Sequence, residues 1–97
     1  MREVFITDTA KADIEYISSF LQDTYSNKVK VDFLVKLSEK LIFIEKMPFM
    51  YAPSVKNLQV RKCVIHKNAA CFYEVGENQI YILSVIDTRI NPEKSKF

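Results

Sequence analysis

The chain contains a single glycine, Gly76, among its 97 residues. Glycine adopts positive φ angles without steric cost, so tight turns elsewhere must rely on Asn or Asp. A many-turned β-sandwich would need more glycines, and the sequence favours helices and longer loops instead. The segment Gly76-Glu77-Asn78 is predicted to close a β-hairpin, with Gly76 supplying the positive φ angle.

Two amphipathic helices are predicted in the first half of the chain. After a short β-branched and aromatic strand at residues 4–7, the first helix is expected over residues 9–24. The second is expected to be capped by Ser26 or Asn27 and to end near Met47, because Pro48 disfavours helical geometry in the residue before it. Apolar side chains recur at helical spacing in both: Ala10, Ile14, Ile17 and Leu21, then Val29, Phe33, Leu37, Leu41 and Ile44. The short connection predicts an antiparallel helical hairpin.

Three strand-like runs follow, at residues 58–65, 69–75 and 79–86. The last run is apolar on both faces, which is typical of a central strand. The order β-α-α-β-β-β predicts an α+β fold, one domain over residues 1–97. In this fold the helical hairpin packs on one face of a twisted, mainly antiparallel sheet.

Alternation along residues 58–67 predicts which side chains face the helices. The set expected to meet the helices is Leu58, Val60 and Val64. The set expected on the open face is Gln59, Arg61, Cys63, Ile65 and Lys67. Lys62 and His66 have the opposite parity to Arg61 and are expected near the sheet edge or the turn.

Composition excludes several classes of protein. Apolar residues make up 48% of the chain and charged residues 27%, which is ordinary for a globular protein. No run approaches the roughly 20 apolar residues of a membrane span. The first eight residues lack the apolar segment of a secretory signal, so we expect a cytoplasmic protein with no membrane partner. One glycine cannot build a phosphate-binding glycine loop, and no cofactor is expected.

The two cysteines, Cys63 and Cys71, are too few for a secreted disulfide scaffold and lack zinc-site spacing, so no metal is expected. If the hairpin turns on three residues, Ile65 pairs with Ala69, and Cys63 then lies opposite Cys71 on one sheet face. Two small buried thiols, reduced in the cytosol, are the simplest interpretation. A redox or metal role is the alternative.

Positive charge is concentrated in one stretch of the second half. Between residues 56 and 73 the cations are Lys56, Arg61, Lys62 and Lys67, and there is no carboxylate, although the net charge of the chain is only +2. Such a segment can attract nucleic acid or an acidic protein. A solvated basic surface is the other interpretation.

In its order of elements and in several short motifs, the sequence resembles the RelE/ParE superfamily of toxins from type II toxin–antitoxin systems. The motifs are residues 10–17, Val60-Arg61, residues 71–75 and the ending from Ile82 to Asn91-Pro92. The resemblance implies the β-α-α-β-β-β fold, growth inhibition, plasmid stabilisation and a cognate antitoxin that wraps the toxin. It implies antitoxin contacts along the helical hairpin, for which the candidates are Ile14, Ile17, Leu21, Phe33 and Leu37, most of them also expected in the core.

The resemblance implies one of two targets. One group in the superfamily cleaves mRNA on the ribosome, using Lys and Arg with a Tyr or His near the C-terminus, and the other group binds and blocks DNA gyrase. Position makes Lys56, Arg61 and Arg89 candidates for catalysis, with His66 as a further one. The candidates for binding the target are Lys56, Arg61, Lys62, Lys67 and Arg89.

The sequence departs from the cleaving group after its last strand. No Tyr or His follows Arg89, and Asp87 stands where some of the nucleases carry a histidine. A negative charge at Asp87 repels a phosphate unless it is paired with Arg89. We therefore expect inhibition of DNA gyrase. A ribosome-dependent mRNA endoribonuclease and a non-toxic binding module on the same fold are the alternatives.

Overall fold

The structure, a computed structural model, describes residues 1–90 and 97. Its elements follow the predicted order: β1 (Glu3–Ile6), α1 (Asp8–Thr24), α2 (Asn27–Lys46), β2 (Arg61–His66), β3 (Ala69–Val75) and β4 (Gln79–Asp87). The helices lie within one residue of their predicted bounds, whereas β2 begins three residues later than predicted.

The four strands form one sheet in the order β1-β4-β3-β2. β1 runs parallel to β4, and the other two pairings are antiparallel. The predicted α+β fold, with a helical hairpin on a mainly antiparallel sheet, is confirmed. β4 lies between β1 and β3, as its apolar run predicts.

Each helix begins at a side-chain cap. Thr7 Oγ1 accepts a hydrogen bond from the Ala10 N–H (3.2 Å), and Ser26 Oγ accepts one from the Val29 N–H (3.2 Å). Thr7 also donates to the Ile82 carbonyl (2.8 Å), which ties the start of α1 to β4. The apolar stripes of both helices then form the core with the facing side of the sheet.

The predicted faces of β2 are wrong. Cys63 and Ile65 are 0% and 4% exposed and belong to the core, whereas Val64 is 53% exposed. Arg61 shares the parity of Cys63 and so lies on the helix side of the sheet, not on the open face. Lys67 lies in the turn that follows the strand.

The residues before β2 explain why its faces were predicted wrongly. The Ser54 N–H donates to the Val60 carbonyl (2.6 Å), and the Val60 N–H donates to the Asn57 carbonyl (3.0 Å). This segment is therefore a folded loop and does not extend the strand, so its alternation carries no information about the strand's faces. Leu58 is consequently 75% exposed, and Val60 is buried outside the main core cluster.

The sheet face away from the helices is partly covered. Phe72 alternates with the core residue Tyr73 and so lies on that face, yet it is only 3% exposed. Its ring lies 5.8 Å from the ring of Phe97, centre to centre, and Ser54 Oγ donates to the Phe97 carbonyl. This face is therefore not a bare basic surface.

Gly76 does not adopt the predicted positive φ angle, and none of the described residues does. The glycine is needed because two neighbours approach closely. A Cβ atom at Gly76 would lie 3.0 Å from the Gln79 carbonyl oxygen and 3.2 Å from the Tyr81 ring. The Gly76 N–H donates to the same carbonyl (2.7 Å), which closes the hairpin.

The hairpin between β2 and β3 pairs Ala69 with His66, and the predicted pairing of Ala69 with Ile65 is wrong. A shift of register near the end of β2, typical of a β-bulge, causes the difference. Beyond it, Cys63 lies opposite Cys71, as predicted.

Candidate functional site

An ion pair lies at the end of β4. The side chain of Asp87 is 0% exposed. Arg89 Nη2 donates to Asp87 Oδ2 (2.6 Å), while Arg89 Nε and the Arg89 backbone N–H donate to Oδ1 at 3.0 and 2.9 Å. The Arg89 side chain is 21% exposed, and its hydrogen bond with Asp87 raises its pKa. The positive charge of Arg89 is thus paired with a buried carboxylate.

His66 lies beside this pair, with both ring nitrogens close to hydrogen-bond donors. Nδ1 accepts a hydrogen bond from the Asn68 N–H (3.1 Å), and Nε2 lies 3.5 Å from Arg89 Nη2. Burial, together with the positive charge of Arg89, lowers the pKa of His66. Because Nδ1 accepts the Asn68 N–H, a neutral ring carries its proton on Nε2, where it faces the Arg89 guanidinium as a second donor.

A cleft of about 240 Å³ opens at this end of the sheet. It is lined by Val29, Asp32, Lys36, His66, Lys67, Asn68 and Arg89. The cleft brings together three of the residues predicted from sequence, namely His66, Lys67 and Arg89. The cleft also contains Lys36, which was not predicted from the sequence; it lies on α2 away from the apolar stripe and pairs with Asp32 (3.1 Å). Only its position in the folded protein distinguishes it from an ordinary solvated lysine.

Arg61 lies at the opposite end of the sheet, where it holds the loop after α2. Its Nη1 donates to the Tyr51 carbonyl (2.6 Å), and its guanidinium carbon lies 5.0 Å from the centre of the Phe49 ring. The guanidinium carbon of Arg2 lies 5.4 Å from the same ring. Arg61 begins β2, whereas Arg89 follows the end of β4, which runs in the same direction. At about 3.3 Å per residue, a strand of this length separates them by roughly 17 Å, so they do not share a site.

The other two predicted cations also lie outside the cleft. Lys62 is exposed on β2, and its backbone N–H donates to the Ala52 carbonyl (3.2 Å). Lys56 is exposed in the loop before β2, where its backbone N–H donates to Ser54 Oγ (3.3 Å). The predicted basic segment is therefore divided between the two ends and the edge of the sheet.

Most of the residues predicted to contact an antitoxin lie in the core. Ile17, Leu21, Phe33 and Leu37 are at most 4% exposed, while Ile14 is half-buried. Their packing against the sheet stabilises the chain itself and leaves little of them for a partner. The large apolar side chains that the helices expose are Tyr16, Val31, Val35, Ile42 and Phe43.

Across residues 1–90 and 97, no three His, Cys, Asp or Glu side chains are grouped so as to hold a metal ion. Neither helix in this part of the chain combines the length and the apolar character that crossing a membrane requires.

A helical hairpin on a four-stranded mixed sheet is the architecture of RelE/ParE-like toxins. The family described as ParE toxin of type II toxin-antitoxin system, parDE, matches residues 4–92, which is most of the chain. The chain therefore belongs to the ParE toxin family. No curated protein sequence matches it.

Solved structures share the fold at low sequence identity. A chain of the chromosomal ParDE system from P. aeruginosa is 14% identical with a TM-score of 0.73, and the match covers 90% of this chain and 96% of that one. A copper-bound mutant toxin from Helicobacter pylori is 14% identical with a TM-score of 0.64, covering 94% and 99%. A chain of the E. coli DinJ-YafQ complex is 10% identical with a TM-score of 0.57, covering 94% and 98%. At such identities the likeness concerns the fold alone.

Proposed function

We propose that this chain is the growth-arresting toxin of a type II toxin–antitoxin pair and that it inhibits DNA gyrase rather than cutting mRNA. Membership of the ParE toxin family supports the first part. The pairing of Arg89 with the buried carboxylate of Asp87 carries the second. A cognate antitoxin holds the toxin inactive in the cytoplasm, and such a pair stabilises a plasmid that encodes it.

The ion pair disfavours RNA cleavage for an electrostatic reason. Cleavage without a metal requires a base, an acid and cations that stabilise the charge developing on the phosphate. Arg89 already donates to both carboxylate oxygens of Asp87, at 2.6 and 3.0 Å, so its remaining N–H groups would meet a phosphate from a cation whose charge is largely offset. The negative charge of Asp87 would meanwhile remain beside the phosphate and repel it.

The lone histidine is also poorly arranged for proton transfer. His66 is the single histidine of the chain. Its Nδ1 accepts the Asn68 N–H, and the positive charge of Arg89 lies close to its Nε2, so uptake of a further proton is not favoured. The neutral ring is in turn too weak an acid to donate its proton. The lowered pKa of His66 has the same origin, because burial and the nearby Arg89 charge oppose the protonated form.

The second candidate is a ribosome-dependent mRNA endoribonuclease, and one observation favours it. The cleft collects Lys36, Lys67 and Arg89 around His66, so a bound phosphate would be near three cations. Asp32 and Asp87 offset part of that charge. A binding module without toxicity is a third candidate on the same fold.

Expression of the chain alone in a bacterial host distinguishes the three candidates. The proposal predicts growth arrest, relaxed plasmid DNA and intact mRNA, with growth restored when the adjacent antitoxin reading frame is co-expressed. New mRNA ends within translated codons, with normal plasmid supercoiling, would identify the endoribonuclease instead. Undiminished growth at a verified level of folded protein would identify the non-toxic module.

Two arginine variants sharpen the distinction because the residues lie at opposite ends of the sheet. If the chain cuts mRNA, Arg89→Ala should abolish cutting, because Arg89 lies in the cleft. Arg61→Ala changes the loop that holds Tyr51 and leaves the cleft intact, so it is the matched control. Loss of cutting in Arg61→Ala alone would place the chemistry away from the cleft.

A further inference from the structure

Two free thiols face each other across the β2–β3 hairpin. Cys63 and Cys71 are paired residues of the antiparallel ladder, and both are 0% exposed. Directly opposed residues in such a ladder have Cα atoms about 4.5 or 5.5 Å apart. Both spacings fall within the range of about 4.4–6.8 Å that a disulfide spans. The two side chains can therefore be joined without moving the strands apart.

We propose that Cys63 and Cys71 form a reversible redox site, at which a hydroperoxide converts the two thiols into a cross-strand disulfide. The proposal is independent of the target of the toxin, because it depends only on the hairpin register and on the chemistry of the two sulfur atoms.

The surroundings of the pair give the two thiols different roles. The neighbouring Cys71 thiol lowers the pKa of Cys63 to about 7, with smaller contributions from the Tyr51 hydroxyl and the charge of Lys40, despite the opposing effect of burial. The neighbouring Cys63 and burial raise the pKa of Cys71, which stays protonated. Burial raises the pKa of Tyr51 to about 12, so its hydroxyl remains a donor. Cys63 is thus the nucleophile and Cys71 the thiol that resolves the intermediate.

The reaction balances with hydrogen peroxide as the oxidant. The Cys63 thiolate attacks one peroxide oxygen, the O–O bond breaks, and Cys63 becomes a sulfenic acid while hydroxide leaves. The Cys71 sulfur then attacks the Cys63 sulfur and the S–OH bond breaks. The departing hydroxyl takes the proton of the Cys71 thiol and leaves as water. In sum, two thiols and one peroxide give one disulfide and two waters. The sulfur pair is oxidised by two electrons and the peroxide is reduced.

The disulfide would join an edge strand of the sheet to its neighbour. β2 is an edge strand whose one neighbour in the sheet is β3. A disulfide between them closes the short loop of residues 63–71 and so reduces the freedom of the unfolded hairpin. Oxidation should therefore raise the melting temperature, and a reductant should lower it again.

The test uses the purified full chain, fully reduced and folded, with hydrogen peroxide as the probe. After quenching, free thiols are alkylated in denaturant, and the intact mass and the linked peptides are measured. We expect both thiols to disappear together, with the loss of two hydrogen atoms and a peptide linked between Cys63 and Cys71. Dithiothreitol should restore both thiols, and the oxidised form should melt several degrees higher.

Single variants provide the controls. Cys71→Ala should stop at oxygen added to Cys63, and Cys63→Ala should react more slowly, because Cys71 is the less acidic thiol. The proposal is overturned if the wild-type chain keeps both thiols at a peroxide dose that fully oxidises glutathione in the same tube. It is also overturned if oxygen adds to each cysteine separately, or if the disulfides join two chains. These outcomes are read on the wild-type chain, so they hold even if a variant fails to fold.

Discussion

The substitution Asp87→Asn tests the ion pair on which the proposed function depends. It keeps the shape of the side chain and removes its charge. Asp87 is fully buried and accepts three hydrogen bonds from Arg89, whose own side chain is 21% exposed. The asparagine retains one oxygen as an acceptor, but its amide group would point donors at the guanidinium. Arg89 is then left as a largely buried cation without its counter-charge.

The stability that Asp87→Asn should lose can be estimated from the burial of the ion pair. Removing one partner of a buried ion pair lowers the free energy of unfolding by about 3–5 kcal/mol. Arg89 can recover part of its hydration by turning into the cleft, so we expect a loss of about 3 kcal/mol in the free energy of unfolding. The free energy of unfolding of a whole domain is only about 5–15 kcal/mol, so a loss of this size should be readily measured. In a domain of this size it lowers the melting temperature by about 10 °C or more.

Urea unfolding followed by circular dichroism measures the effect, with Asp32→Asn as the matched control. Asp32 also pairs with a cation, Lys36 at 3.1 Å, but the two side chains are 59% and 44% exposed. An exposed pair contributes about 0.5 kcal/mol or less, so this variant should unfold close to the wild type. If Asp87→Asn shifts the urea midpoint no more than Asp32→Asn does, Arg89 is not held as described, and the electrostatic case against RNA cleavage fails.

Substitutions at three further positions give predictions that urea unfolding can test. Tyr73→Phe removes the hydroxyl that donates to the Pro48 carbonyl (2.7 Å), and the unsatisfied acceptor should cost about 1–2 kcal/mol; an unchanged midpoint would contradict this. Thr7→Ala removes the cap of α1 and a bond to β4, with an expected loss of about 1–2 kcal/mol, whereas Thr7→Ser should recover most of it. Burial lowers the pKa of His66 in the folded state, so the unfolded chain binds the proton more readily, and stability should fall as the pH drops through the unfolded value of 6.5. His66→Asn should lack this part of the pH dependence, and parallel curves for the two proteins would refute the linkage.

The helices are predictable from sequence because their signals are long and local. Apolar residues repeat at helical spacing in each helix, such as Ile17 and Leu21 in α1 and Phe33 and Leu37 in α2, and the caps and Pro48 fix the ends. The faces of β2 are not predictable in this way. A strand of six residues offers little periodicity. The loop at residues 54–60 also alternates between apolar and polar residues, although it is not part of the strand.

The site is predictable only where its residues are neighbours in sequence. Asp87 and Arg89 are two positions apart, so their pairing can be anticipated from the chain. The position of Lys36 beside Arg89 depends on how α2 crosses the sheet, and no local pattern encodes it. The separation of Arg61 from Arg89 likewise follows from strand direction and from the start of β2 at Arg61.

The supercoiling activity of purified DNA gyrase, measured with increasing amounts of the purified chain, tests the central claim most directly. The proposed function requires that relaxed plasmid remain relaxed as the chain is added, and that the cognate antitoxin reverse the block. Unimpaired supercoiling at every concentration, together with cleavage of mRNA on translating ribosomes by the same preparation, would contradict it.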